Sequence, residues 1–250
     1  MSVVSDEFVL AGEATQCPQP GTAPVTQRPP AALLSCSYDG AADGSARWNL
    51  SFKRIFDVVL SLALILFLLP VFLLLAAAIL IEDGRPFLYR HRRVGRNGRE
   101  FDCLKIRSMV KDADARLQAL IRQSGEHRRE WEETQKLRED PRILAVGHVI
   151  RKLSLDELPQ LFNVLRGDMS LVGPRPIVRQ EVARYGEAIE HYLAVRPGIT
   201  GLWQVSGRSG TSYAERVAMD VAYVRTRRPS TDLRILLRTV VVVASARDSY

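Results

Sequence analysis

Apolar and polar positions are unevenly distributed along this chain. From Val58 to Ile81, 24 residues pass without a charge, broken only by Ser61 and Pro70. As a helix the run would rise roughly 36 Å, against a bilayer core of about 30 Å. Buried helices of soluble proteins seldom run so far without a polar face, so the segment reads as membrane-inserted. Beyond Ile81 the pattern becomes that of a compact globular domain. Phe87–Val94 and Arg99–Ile106 flank Gly95-Arg96-Asn97-Gly98, which predicts a β-hairpin with Asn-Gly supplying positive φ. Lys111 to about Glu139 is polar with a thin apolar stripe, a helix packed on one side and ended by Asp140-Pro141. Thr231–Ser245 is strongly apolar, a final helix or strand. As a helix it would carry Arg234 and Arg238 on one face, either in the core or at a membrane interface. Residues 1–50 hold five of the thirteen prolines and no sustained periodicity, and read as a mobile tail. The start is acidic and no apolar stretch follows it, which argues against a signal peptide.

Pro70 sits near the middle of the apolar run, where it removes a backbone hydrogen bond and crowds the preceding turn. A kinked spanning helix would tolerate this. The flanking charges favour another arrangement. Lys53 and Arg54 precede the run, and Arg85, Arg90, Arg92, Arg93, Arg96 and Arg99 follow it. Both flanks therefore belong on the cytoplasmic side, which a helix–break–helix entering and leaving one leaflet satisfies.

Composition sharpens this division. The 250 residues carry a net charge of +7. Residues 1–50 contribute −3 (two basic, five acidic), leaving +10 on the remainder. Eight basic residues against two acidic ones lie between Arg85 and Arg107, pointing to lipid headgroups around the hairpin and to an anionic substrate. Cys17, Cys36 and Cys103 make neither a disulfide framework nor a metal-ligand spacing, and the four histidines are scattered. No phosphate-binding G-x-x-x-x-G-K-[ST], no G-x-G-x-x-G after a strand and no H-E-x-x-H is present, which disfavours common nucleotide folds and zinc hydrolases.

The chemically suggestive stretch is Arg151-Lys152-Leu153-Ser154-Leu155-Asp156-Glu157-Leu158-Pro159-Gln160. Ser154-x-x-Glu157 is a capping-box pattern, and with Asp156 as the cap Pro159 would fall in the first turn. Either register puts two carboxylates at a helix N-terminus. A carboxylate used as a cap is not a free nucleophile, so capping and catalysis compete on this motif alone. Gly173-Pro174-Arg175-Pro176 fixes an arginine between prolines, and Arg196–Arg208 mixes turn residues with arginines whose forks match phosphate oxygens.

Residues 51 to about 245 resemble the bacterial sugar transferases, the monotopic polyprenyl-phosphate phosphoglycosyl transferases. The matching strings are Lys53-Arg54-x-x-Asp57, Lys105–Met109, Asp140-Pro141-Arg142, Ser154–Gln160, Asn163–Pro176 and Arg196–Arg208, in order and over about four-fifths of the chain. The resemblance implies an α+β, mainly helical fold. Its parts would be a tail (1–50), a re-entrant membrane helix broken at Pro70 (51–82) and a cytoplasmic catalytic domain (83–250) with a small β-hairpin and interfacial amphipathic helices, on the bacterial inner membrane. It implies a Mg²⁺-dependent transfer of hexose 1-phosphate from a UDP-hexose to undecaprenyl phosphate, initiating exopolysaccharide or capsule assembly. Asp156 matches the nucleophile that forms an aspartyl phosphosugar, and Glu157 its partner, the two also being the metal ligands. Lys105, Arg107, Arg151, Arg175 and Arg208 match substrate-phosphate positions, and Asp220 and Gln204 other active-site positions. Gly201-Leu202-Trp203-Gln204 resembles the glucose or galactose branch, with an acetamido-sugar donor as the alternative. A homodimer is compatible with the resemblance. Thr226–Thr231 departs from a more apolar family stretch. The rival class is a catalytically idle membrane scaffold; a nucleic-acid binder fits the basic hairpin but not the apolar segment.

Overall fold

The computed structural model describes residues 50–134, 137, 139–206 and 211–245. Residues 1–49 of the predicted tail, and Arg208, lie outside them. The described chain is mostly helical, with two small two-stranded sheets.

Helix α1 (Leu50–Asp83) holds the whole apolar run and is long and apolar enough to cross a membrane. It continues through Pro70, where the sequence predicted a break. The missing proline N–H removes one helical hydrogen bond, and here the flanking turns carry the helix past it. One stripe of α1 packs on the domain in two places. Phe56, Leu60, Leu64 and Ile65 meet the cluster containing Phe101, Leu161, Val164 and Leu171. Val71, Phe72, Leu75 and Ile79 meet Ile106, Leu144 and Ile150. The other face stays bare, with Val59, Leu66, Phe67, Leu73, Leu74 and Ile81 exposed. Such an apolar face suits lipid rather than water, consistent with a membrane-anchored domain.

Both ends of α1 are tied to that domain. At the start, Asp57 pairs with Lys53 and accepts from Ser170 Oγ (2.8 Å) and the Leu171 N–H (3.3 Å), while Lys53 bridges to Asp232 (2.6 Å). Arg54 donates to the carbonyls of Val164 and Leu165. At the far end Glu82 accepts from the Ala145 and Val146 N–H groups. Those are orphan amides of the first turn of a later helix, supplied with an acceptor from α1.

The hairpin forms as predicted. Strands β1 (Leu88–Val94) and β2 (Glu100–Ile106) pair antiparallel, with Asn97 at φ 56 and Gly98 at φ 73 in the turn. The predicted 111–139 helix is two helices, α2 (Ala113–Gln123) and α3 (Gly125–Thr134), separated at Ser124, whose extended backbone ends the first just before Gly125. Helix α4 (Ala145–Lys152) leads through a 3-10 turn at Leu155–Glu157 to α5 (Gln160–Arg166). Asn163 on α5 is fully buried. Its Oδ1 accepts from the Leu104 N–H (2.9 Å) and its Nδ2 donates to the Asp102 carbonyl (2.8 Å), closing the free edge of β2.

Strand β3 (Ser170–Val172) pairs parallel with β4 (Gly198–Thr200). Gly173 and Gly198 let the two backbones touch; a Cβ on Gly198 would come 2.1 Å from Gly173 N. The Gly198 N–H donates to Pro174 O (2.8 Å), which anchors the loop carrying Arg175. Short helices α6 (Val182–Tyr185), α7 (Ile189–Leu193) and α8 (Leu202–Ser206) precede α9 (Tyr213–Thr226), which a Ser212/Glu215 capping box starts. The last apolar segment is helix α10 (Pro229–Ala244), with proline in its first turn. It buries Asp232 and Ile235 and exposes Leu233, Leu237, Val240 and Val241.

Candidate active site

Lys105, near the end of β2, is the centre of the site. Its Nζ lies 3.3 Å from Asp156 Oδ2 and 3.2 Å from Glu157 Oε1, so one ammonium serves both carboxylates. Arg175 Nη1 approaches the same Glu157 oxygen at 3.6 Å. Arg151, at the end of α4, is near enough for its charge to favour the ionised form of Asp156. The Asp156 side chain is only 19% exposed. Burial raises its pKa above the usual carboxylate value, the Lys105 charge opposes that rise, and the Glu157 charge adds to it. Burial works against the Lys105 cation, but Glu157 and Asp156 outweigh it and raise its pKa.

Neither register predicted for the acidic pair occurs. Ser154 is left-handed (φ 54) and its side chain caps nothing, while Pro159 stands at the start of α5. The carboxylates sit on the short turn between two helices and face cations.

The structure thus brings together Lys105, Arg151, Asp156, Glu157 and Arg175. The other positions lie elsewhere. Arg107 is buried and pairs with Asp83 (2.8 Å) while donating to the Gly84 carbonyl (2.6 Å), so it fastens the end of α1 to the hairpin. Gln204 is buried, donates to Ile199 O (3.4 Å) and packs against Gly201. Asp220 accepts from Tyr185 Oη (2.7 Å) with Arg216 Nε 4.0 Å away, and burial raises its pKa to about 6. Pro70 lies inside α1.

One residue that connects the two regions reads in the sequence only as a flanking charge. Arg93 lies 3.8 Å from Glu181, which lies 3.2 Å from Arg216, the neighbour of Asp220. Arg93 also senses the charge of Arg175. The hairpin register pairs Tyr89 with Lys105, His91 with Cys103 and Arg93 with Phe101, so all six share one face of the ribbon. The turn position was legible, and counting back from it would have put Arg93 on the Lys105 face.

Among the described residues no group of three or more His, Cys, Asp or Glu side chains could hold a metal by itself. Mg²⁺ is commonly held by one or two carboxylates together with substrate phosphates and water. The Asp156–Glu157 pair, half-buried and next to cations suited to a diphosphate, fits that donor set.

The family model for bacterial sugar transferases matches residues 48–246. The chain is 48% identical over 198 residues to an exopolysaccharide production protein ExoY of Sinorhizobium fredii, covering 79% of this chain and 88% of that one. It is equally identical to an undecaprenyl-phosphate galactose phosphotransferase of Salmonella typhimurium, covering 79% of this chain and 41% of that longer one. A UDP-glucose:undecaprenyl-phosphate glucose-1-phosphate transferase of Caulobacter vibrioides is 41% identical over 206 residues, which covers 79% of this chain and 72% of that protein.

Proposed function

The chain belongs to the bacterial sugar transferase family, and on that premise we propose that it transfers a hexose 1-phosphate from a UDP-hexose to undecaprenyl phosphate, starting exopolysaccharide or capsule assembly. The observation that carries this reading is the shared ammonium. Asp156 and Glu157 are adjacent, half-buried and bound to Lys105 at 3.3 and 3.2 Å.

An ionised carboxylate needs no base before it attacks phosphorus, and the obstacle is repulsion between anions. Lys105, Arg175 and Arg151 reduce it by placing positive charge where a diphosphate would lie. An Asp156 oxygen forms a bond to the sugar-bearing phosphorus; the bond from that phosphorus to the bridging oxygen breaks, and UMP leaves with the electron pair. The product is an aspartyl phosphosugar. An oxygen of the lipid phosphate then attacks the same phosphorus, the aspartyl–phosphorus bond breaks, and Asp156 regains its carboxylate as the lipid diphosphate sugar forms. Glu157, with Asp156 beside it, would hold Mg²⁺, which when bound supplies further neutralisation of diphosphate charge. The names of the galactose and glucose transferases among the relatives support a hexose donor.

The attachment of α1 supports placing both of its flanks on one side of the membrane. Lys53 and Arg54 at one end, Glu82 and Asp83 at the other, contact the same domain. On this reading the domain lies on the cytoplasmic face of the inner membrane.

The test is trapping of label from a UDP-hexose radiolabelled in its sugar phosphate. The wild type should retain label on the protein, released by undecaprenyl phosphate, and Asp156→Asn should retain none. Undiminished labelling of Asp156→Asn would exclude Asp156 as the nucleophile.

A further inference from the structure

A second basic cluster lies at the opposite end of the hairpin from Lys105. Lys53 and Arg54 from α1, Arg96 from the hairpin tip, Arg196 from the loop before β4 and Arg227 from the segment after α9 line one cleft. Among the described residues Asp57 is the one carboxylate lining it, and Lys53, Ser170 and Leu171 already engage that group. Asp232 pairs with Lys53. Among the described residues no ion pair is formed by Arg54, Arg96 or Arg196. Burial and then the charges of Arg54 and Arg96 lower the pKa of Arg196, so these guanidiniums stand close enough to repel one another.

Helix capping explains part of the cluster. Arg54 donates to Val164 O and Leu165 O, and Arg196 Nε to Gly167 O (2.7 Å), at the C-terminus of α5 where carbonyls lack partners. Arg96 has no such duty, and its Nε is buried without a partner. A buried donor left unsatisfied among like charges is costly, and an anion in the cleft would satisfy both.

We propose that this cleft binds a phosphate group, at a site separate from the reacting diphosphate. The seven-residue strand β2 puts the hairpin tip roughly 20 Å from Lys105 at about 3.3 Å per residue. The site contains none of the residues assigned to the transfer reaction and does not depend on that assignment. The phosphate could belong to a phospholipid headgroup or to a free phosphate such as a nucleotide monophosphate. Phe52 and Ile55, exposed on either side of Arg54, and Leu233 and Leu237 on α10 would accept acyl chains beside a headgroup.

The full-length protein in neutral detergent is tested with phosphatidylglycerol-containing and phosphatidylcholine vesicles, and separately with inorganic phosphate and UMP. Arg96→Gln is the main variant, because its side chain has no hydrogen-bond acceptor or ion-pair partner among the described residues; Arg96→Lys keeps the charge. Arg99→Gln, an exposed neighbour outside the cleft, controls for diffuse attraction. Arg96→Gln should weaken binding to the anionic vesicles by about five-fold, Arg96→Lys by less, and Arg99→Gln should change it little. Stabilisation of the wild type against heat by phosphate or UMP, lost in Arg96→Gln and without a vesicle effect, would also support the site and assign it to a free phosphate. Equal losses from Arg96→Gln and Arg99→Gln, or no effect in either arm, would overturn the proposal. A fall in UMP release in neutral detergent by Arg96→Gln, as large as that from Asp156→Asn, would overturn the separation of the two sites.

Discussion

Replacing Lys105 by methionine keeps most of the side chain's volume and removes the one charge shared by Asp156 and Glu157. The charge lies 3.3 Å from Asp156. At an effective dielectric of about 20 that contact contributes on the order of 5 kcal/mol in favour of the ionised carboxylate. About a fifth of each side chain still meets solvent, which screens the interaction, so the net effect is a fraction of that figure. The sign follows from the structure. Burial and Glu157 already hold the Asp156 pKa up, and Lys105 is the largest opposing influence. Without it Asp156 keeps its proton to higher pH, and a protonated carboxyl is not a nucleophile. The acid limb of the pH profile for single-turnover labelling of the protein by UDP-hexose should therefore move to higher pH. Lys105→Arg retains the charge with a different shape, so its rate should fall while its acid limb stays near that of the wild type. An acid limb unmoved in Lys105→Met, or moved equally in Lys105→Arg, would refute this account of how the nucleophile is kept ionised.

Asn163→Leu fills similar space but leaves the Leu104 N–H and the Asp102 carbonyl without partners, at a cost of about 1–3 kcal/mol for each group left buried. A clear drop in the thermal unfolding midpoint checks it. Asp220 has its pKa raised to about 6 from 3.8, so the folded state binds the proton more tightly than the unfolded one. Stability should then decline as pH rises between those values, by about 3 kcal/mol in total. Asp220→Asn should lose that decline, measured by denaturant titration across the window. Cysteines introduced at Ser51 and Arg85, both exposed, should be labelled from the cytoplasmic side in a background lacking Cys17 and Cys36. Labelling from opposite sides would mean that α1 spans the membrane.

Much of the fold was legible because it follows from local rules. The charge-free run gave α1 and Asn97-Gly98 gave the hairpin turn, while the apolar 231–245 stretch, open between helix and strand, is the helix α10. What was not legible depends on contacts between distant segments. Lys53-Arg54-x-x-Asp57 looks like part of a charged flank, yet its groups bind the carbonyls of α5, Asp232 and the start of β3. Asp140-Pro141-Arg142 reads as punctuation, but Asp140 accepts two short bonds from the Arg142 guanidinium (2.7 and 2.6 Å), which lies over the Trp131 ring. Arg107 and Asp220 share residue types with the carboxylate site and were grouped with it by resemblance. The fold gives Arg107 to the end of α1 and Asp220 to Tyr185.

The competition between capping and chemistry at Asp156-Glu157 is decided by backbone rather than by side-chain identity. A Ser-x-x-Glu pattern caps a helix when its serine is extended and the next residues turn into the helix at once. Ser154 instead takes φ 54, a left-handed conformation that costs a non-glycine residue roughly 1–2 kcal/mol. The chain then makes one 3-10 turn before α5 begins. Within it the N–H groups of Glu157 and Leu158 bond back to the carbonyls of Ser154 and Leu155. The amides of Leu161 and Phe162 bond to Leu158 and Pro159. Pro159, at the point where a cap would be wanted, has no N–H to satisfy. The start of α5 therefore makes no call on either carboxylate for these amides. Lys105 bonds both carboxylates and Arg175 approaches Glu157, so Asp156 faces a cation rather than a helix end, which is the condition a carboxylate must meet to serve as a nucleophile near a diphosphate.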